Sequence, residues 1–283
     1  MDLRKFSIRA GYPVTAHCKR NRPPEARYGN QNIDPSRTFL NTEAKGMMYN
    51  NQIVPFMPYR DAVRIWKRIH EGVTGKTIAK TANCLVSVVV TLPEDYKPPK
   101  GIDLKQWYTP ERIRREDMFF RSVFGFLRDR FAVVMPFDKD GETRYFSNIL
   151  YSCVHRDETS PHLHFGFIGV VKEDRKYLKT DGLSQRTIHV KAGSISAGEV
   201  TRREVLQTLH PDLDAHLKET VEWYHGGVLL SPEEREGKLK NVPMKEYKKL
   251  PEDFSERQKP QPVLLPMSIL KPIRKRGGRS LTD

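Results

Sequence analysis

The string His155-Arg-Asp-Glu-Thr-Ser-Pro-His162-Leu-His164 constrains this chain more than any other stretch. Three of its nine histidines and two carboxylates, Asp157 and Glu158, fall within ten residues. The apolar runs on either side, Ile149–Val154 and Leu163–Ile168, read as strands joined by a polar turn. Residues two apart in a strand share a face, so His162 and His164 project the same way. A hairpin brings His155 next to them, with Asp157 and Glu158 in the connecting turn. Three imidazoles then converge where a divalent metal could sit. Neutral imidazole suits several metals, zinc and manganese among them, so the donors do not choose one. Three protein ligands leave positions open, as catalytic metal sites do. Glu158 either ligates or orients a histidine from outside the ligand set.

The remaining chain reads as mixed α and β. Residues 3–10 alternate apolar and polar, as a half-buried strand does, before a Gly11-Tyr-Pro13 break. Residues 15–41 are rich in Arg, Asn and Pro, with little apolar periodicity. Lys19, Arg20, Arg22, Arg27 and Arg37, with Asn32 and Asn41, are types suited to phosphate and base-edge contacts, and Tyr28 to base stacking. A solvated arm is the alternative. Residues 44–59 read as loop and 61–70 as a short helix. Gly72-Val-Thr-Gly-Lys-Thr77 is no phosphate loop, because His70 stands where that motif needs glycine. Cys84–Leu92 reads as a central strand. Thr109 and Pro110 cap a helix to about Arg130 whose buried face includes Ile113, Phe119, Val123 and Leu127. A hairpin turning near Asp138–Gly141 precedes the histidine strands. Lys172–Gly182 reads as a charged turn and 187–196 as strand or loop. Ser196 or Thr201 can cap the next helix, Thr201 with Glu204 as a capping box, and Gly226-Gly227 ends a last helix near Tyr224.

Lys and Arg outnumber Asp and Glu by 49 to 35, a net charge of +14 that favours a polyanionic partner. No run of eighteen apolar residues suggests a membrane span, and the start of the chain has no signal-peptide pattern. Cys18, Cys84 and Cys153 are scattered, as reduced thiols of a cytoplasmic protein are. From Leu230 the chain is charged and proline-rich. The cluster Lys271–Arg279 suits a DNA backbone or a solubilising tail equally.

The histidine string resembles the metal motif of Mob/Pre (MobV-type) relaxases, plasmid mobilisation and recombination enzymes of the HUH superfamily, with His162-Leu163-His164 as the His-hydrophobic-His element. His17-Cys-Lys-Arg-Asn and Asn32-Ile-Asp-Pro-Ser-Arg-Thr-Phe-Leu-Asn41 resemble that family's N-terminal motif, in the expected order and more than a hundred residues earlier. The resemblance covers residues 1–225. It implies an α/β (α+β) fold: an HUH-endonuclease-like antiparallel sheet with helices packed on one face, to which composition adds a basic, flexible C-terminal tail. A catalytic domain over 1–228 and an extension over 229–283 are expected. It further implies metal-dependent, strand-specific nicking and rejoining at an origin of transfer, for plasmid mobilisation or recombination. His155, His162 and His164 would be metal ligands, for Mn2+ first and Mg2+ second. His17 would be the nucleophile, forming a phosphohistidine–DNA intermediate, with Glu158 assisting and Asp157 a further candidate. Partners would be single-stranded or hairpin origin DNA and conjugative machinery. Alternatives are a rolling-circle replication initiator using Tyr12, Tyr28 or Tyr49, a non-catalytic DNA-binding regulator, and a metal-dependent hydrolase.

Overall fold

The structure, a computed structural model, describes residues 1–20, 33–99, 101–181, 184–227 and 271–272. In chain order the elements are β1 (Asp2–Ser7), α1 (Ile8–Cys18), β2 (Thr42–Ala44), β3 (Gly46–Tyr49), β4 (Gln52–Pro55), α2 (Tyr59–Thr74), β5 (Asn83–Thr91) and α3 (Leu104–Trp107). Then follow α4 (Pro110–Phe131), β6 (Val134–Lys139), β7 (Glu142–Ser147), β8 (Ile149–His155), β9 (His162–Ile168), β10 (Arg175–Asp181), β11 (Ser184–Val190), α5 (Ala197–Val200), α6 (Arg203–Thr220) and the two-residue β12 (Lys271–Pro272).

The main sheet runs β1-β5-β9-β8-β2-β12, every pair antiparallel. Strand alternation splits its side chains between two cores. Val86, Val88, Val90, Leu163, Phe165 and Phe167 pack with Phe119, Phe120, Val123 and Leu127 of α4 and Leu209, Leu213 and Leu217 of α6. On the other face Leu85, Tyr151, Cys153 and Ile168 pack with Ile8 and Cys18 of α1 and Tyr59, Val63 and Trp66 of α2. Helices therefore cover both faces, not the one face expected. The central strands say why: β8 is buried at all seven positions, and such near-continuous apolar strands need cover on both sides. Each fully buried large apolar side chain contributes about 1.5–3 kcal/mol.

Local structure departs from the sequence reading in four places. The first strand ends at Ser7, whose side chain accepts from Ala10 N and starts α1, and the helix runs straight through Gly11 and Pro13. Packing overrides the local break signal. A Cβ on Gly11 would lie 2.1 Å from the Tyr59 hydroxyl oxygen, and that hydroxyl donates to Ile8 O at 3.0 Å. Pro13 stands on the exposed side, where water can satisfy the carbonyl it leaves without a donor. Within 44–59, β3 and β4 form a hairpin whose Asn50 and Asn51 have φ of 46° and 60°, as a two-residue type I′ turn requires. The charged stretch near 172–182 contains β10, paired with β11 along seven positions. Thr201 is buried and donates to Ala197 O at 2.7 Å, closing α5, so it cannot form a capping box for α6. That helix starts after Arg202 without a side-chain cap, contains Pro211, and stops at Val221 instead of at Gly226-Gly227.

The helix at Thr109-Pro110, the hairpin turning at Asp140-Gly141 and the Ser196 cap are as expected. Gly75 ends α2 in a left-handed conformation, whereas a phosphate loop would open a helix. Among the described residues no helix is long and apolar enough to cross a membrane.

Candidate metal centre and catalytic histidine

His155, the last residue of β8, pairs directly with His162, the first of β9, and His164 follows two positions on. Ring centroids are 5.4 Å apart for His155–His162, 4.6 Å for His155–His164 and 4.7 Å for His162–His164. The end of α1 brings in His17, its ring 5.8 Å from that of His155 and 5.9 Å from that of His164. Two overlapping groups have donor atoms within 4.8 Å of one another: His17, His155 and His164, and His155, Glu158 and His162.

Hydrogen bonds fix which ring nitrogens are free. His155 Nε2 faces Cys18 O at 2.8 Å, a carbonyl that can only accept, so Nε2 carries the proton and Nδ1 presents a lone pair. That Nδ1 is buried and faces Glu158 Oε1 at 3.6 Å. Likewise His162 Nδ1 donates to Ser160 O at 2.7 Å, leaving Nε2 aimed at His164 Nε2, 2.9 Å away. A buried lone pair beside two facing ring nitrogens fits a divalent cation, with backbone carbonyls fixing the ligand tautomers. Burial, then the mutual repulsion of the rings, lowers the pKa of His162 and lowers that of His164 further, so both are neutral at pH 7.

Arg20 ties this cluster to the connecting turn. It sits just past α1 at φ 50°, a left-handed conformation that costs a non-glycine residue about 1 kcal/mol or more. Its guanidinium offsets that strain by bonding Asp157 at 3.0 and 2.7 Å and Glu158 at 2.7 Å. Burial opposes ionisation of both acids, but Arg20 and the adjacent His155 outweigh it and hold each below the ordinary carboxylate range, Glu158 far below. Arg20 also lies 3.3–3.4 Å from the ring nitrogens of His17, and Glu158 lies 3.7 Å from His17 Nε2. Burial first, then the Arg20 charge, lowers the His17 pKa to about 4. At 35% side-chain exposure, His17 is neutral and open to solvent.

The other residues read from the sequence as DNA contacts divide in two. Arg22, Arg27 and Asn32 lie outside the described residues, as does Tyr28. The described ones make internal contacts instead of presenting a basic surface. Arg20 is buried as above, and Lys19 pairs with Glu43 at 3.4 Å. Arg37 bonds Asp34 and donates to the carbonyls of Arg156 and Glu158. Asn41, 2% exposed, accepts from the backbone N of Arg156 and of Asp157. Composition identifies these side chains but not their direction. The rival tyrosines are elsewhere: Tyr12 is exposed and packs on Tyr59, and Tyr49 packs on Tyr145.

Sequence reading missed the support behind the turn. Arg156, wholly buried, donates to Glu116 at 2.7 Å, to Asp117 at 2.5 Å and to Leu40 O at 3.0 Å. One signal pointed there. Glu116 and Asp117 lie three and four residues after Ile113, on the apolar stripe of α4, where an unpaired acid would be costly.

Comparison with known proteins finds relatives in sequence and in fold. Residues 138–249 match the Mob_Pre family model, described as plasmid recombination enzyme. A plasmid recombination enzyme type 3 from Staphylococcus aureus is 23% identical over 236 residues, covering 79% of this chain and 48% of the relative. The type 1 enzyme from the same species is 26% identical over 231 residues, covering 77% and 49%. A plasmid recombination enzyme from Streptococcus agalactiae is 25% identical over 233 residues, covering 76% and 40%. The chain thus spans about half the length of these curated relatives, or less. Among solved structures, the Mn-bound MobM relaxase domain with plasmid pMV158 oriT DNA shares the fold, with a TM-score of 0.53 at 20% identity over 88% of this chain and 96% of that one. The chain is thus similar to the Mob/Pre plasmid recombination enzymes in the matched region and in sequence, and shares its fold with the MobM relaxase domain.

Proposed function

We propose that this chain is a histidine relaxase, nicking and rejoining one DNA strand at an origin of transfer for plasmid mobilisation or recombination. The observation that carries this reading is a neutral, solvent-open His17 beside a buried imidazole cluster whose donor atoms converge within 4.8 Å. The oriT DNA and manganese of the MobM structures support the substrate and metal classes. Domain limits of 1–228 and 229–283 belong to the same proposal.

His155, His162 and His164 would hold a divalent cation, Mn2+ or Mg2+, with Glu158 within reach as a fourth donor. Such a cation supplies charge to a non-bridging phosphate oxygen. His17 attacks phosphorus through a ring nitrogen. The N–P bond forms as the bond to the 3′-oxygen breaks; that oxygen leaves as a hydroxyl after taking a proton, and the 5′-phosphate stays on His17. Return attack by a 3′-hydroxyl rejoins the strand without ATP. Burial, with the Arg20 charge beside it, keeps the imidazole unprotonated, and His155 and Arg20 hold Glu158 ionised.

The test is a denaturing gel of protein incubated with candidate origin oligonucleotides and Mn2+. An acid-labile covalent adduct, abolished in His17→Ala and His164→Ala, is expected. An adduct persisting in His17→Ala moves the nucleophile to a tyrosine and favours a replication initiator. Cleavage without any adduct makes the protein a hydrolase, and binding without cleavage makes it a regulator. A second reading has its own observation: His17 shares a donor group with His155 and His164, so it could ligate instead of attacking. In that case His17→Ala weakens Mn2+ binding itself.

A further inference from the structure

We propose that the β10–β11 ribbon is an anchor for duplex DNA, set apart from the histidine centre; this rests on the DNA-processing function proposed above. β9 runs from His162 to Ile168, carrying the chain roughly 20 Å from the histidines before the ribbon begins. There β10 and β11 pair only with each other among the described strands. An isolated two-stranded ribbon is marginal in water, and this one is tied down at its base. Tyr177 donates to Glu199 at 2.6 Å, Arg175 pairs with Glu199 at 3.5 Å, and Asp174 takes Ala192 N and Lys191 at 2.8 and 3.1 Å.

Part of its charge is left over once Arg175 and Lys191 have made those contacts. From Lys172 to Lys191 the sequence carries six Lys or Arg against three acids. Lys179 and Arg186 are direct cross-strand partners, both exposed, and neither has an ion pair among the described residues. Like charges placed opposite in a ribbon destabilise it, so the pair is explained by an anion that bridges them. They share a face with Arg175 and Tyr177, the face turned toward α5. Beside it is a cleft of about 240 Å³ lined in part by Arg130, Lys172, Arg175 and Arg202, of which Arg130, Arg175 and Arg202 are paired with Asp212, Glu199 and Glu204.

Duplex is favoured over single strand by shape and by side-chain type. A two-stranded ribbon fits a B-form major groove. A single-strand platform needs free aromatic faces, and among the described ribbon residues the one Phe, Tyr or Trp ring is Tyr177, held through its hydroxyl.

The test measures anisotropy of the full chain with two fluorescein-labelled probes, a duplex of about 20 base pairs and one of its strands, across a salt series. Lys179→Gln/Arg186→Gln should reduce the slope of log affinity against log salt on duplex by about 1.8, or 0.9 per phosphate contact, and leave the single-strand slope unchanged. Arg60→Gln/Arg68→Gln, which removes equal exposed charge from α2, should leave both slopes unchanged. A duplex slope that survives the ribbon variant, or an equal loss on both probes, overturns the assignment while wild-type binding keeps the proposed function standing. Wild type that binds neither probe overturns both.

Discussion

Replacing Arg156 by Met should be among the most damaging single substitutions in this chain. The residue is 0% exposed and its two partners, Glu116 and Asp117, are 3% and 1% exposed in their side chains. Met fills much of the volume but leaves two carboxylates facing an apolar core. Removing one partner of a buried ion pair costs about 3–5 kcal/mol. At about 2–4 °C per kcal/mol for a domain of this size, the melting midpoint should fall by roughly 6–20 °C. The orphaned acids escape part of this cost by taking up protons. Burial already raises both above the ordinary carboxylate range even with Arg156 present. Without it their folded-state pKa rises further above the unfolded value, so stability is regained as pH falls toward that value and lost as pH climbs through it. The gap between variant and wild type should therefore narrow between pH 8 and pH 5. Denaturant unfolding at several pH values measures it. Arg156→Met/Glu116→Gln/Asp117→Asn, which neutralises both acids, should recover more than half of the loss at pH 8. A loss below about 1 kcal/mol, or a gap that widens as pH falls, would refute the reasoning.

Mn2+ at about a hundred times its dissociation constant should stabilise the fold by about 2.7 kcal/mol, and chelator should reverse this; His162→Ala should abolish the shift in a thermal melt. His17→Ala should keep that Mn2+ stabilisation while losing the adduct, whereas a ligand role would lose both. Gly166→Ala should cost about 1–3 kcal/mol by overpacking, since its Cβ would lie 2.1 Å from the Tyr151 ring; an unchanged midpoint would mean that the ring can move aside. Asp157 has a depressed folded-state pKa, so its stabilisation is present above the unfolded value near 4 and is lost as pH falls through the lower folded value. Arg20→Gln should flatten that acid limb of the stability–pH curve, and a limb of unchanged steepness would show that Arg20 contributes nothing to it.

The histidine strands were legible because their signal is local: period-two spacing and apolar flanks lie within twenty residues. Arg156 was not, although it stands inside the same string, because its partners are 39 and 40 positions away on α4. α1 was misread for the converse reason. Gly11 and Pro13 are strong local breakers, and only the distant Tyr59 ring shows that the glycine makes room inside a helix.

The arm shows what composition leaves out. Lys19, Arg20, Arg37 and Asn41 looked like DNA contacts, yet their partners are Glu43, Asp157, Glu158, Asp34 and the backbone of 156–158. The two motifs, more than a hundred residues apart in sequence, are therefore halves of one object. Arg20 carries His17 on one side and grips the carboxylates of the histidine turn on the other, while Asn41 holds that turn by its backbone. Either half alone would leave buried charge or buried N–H groups unpaired, at about 1–3 kcal/mol for each hydrogen bond lost. Their joint appearance in one chain thus follows from electrostatics as much as from chemistry. A Lys at position 20 would keep the charge but not the fork, because a single ammonium cannot span Asp157 and Glu158 in the planar geometry that the guanidinium provides.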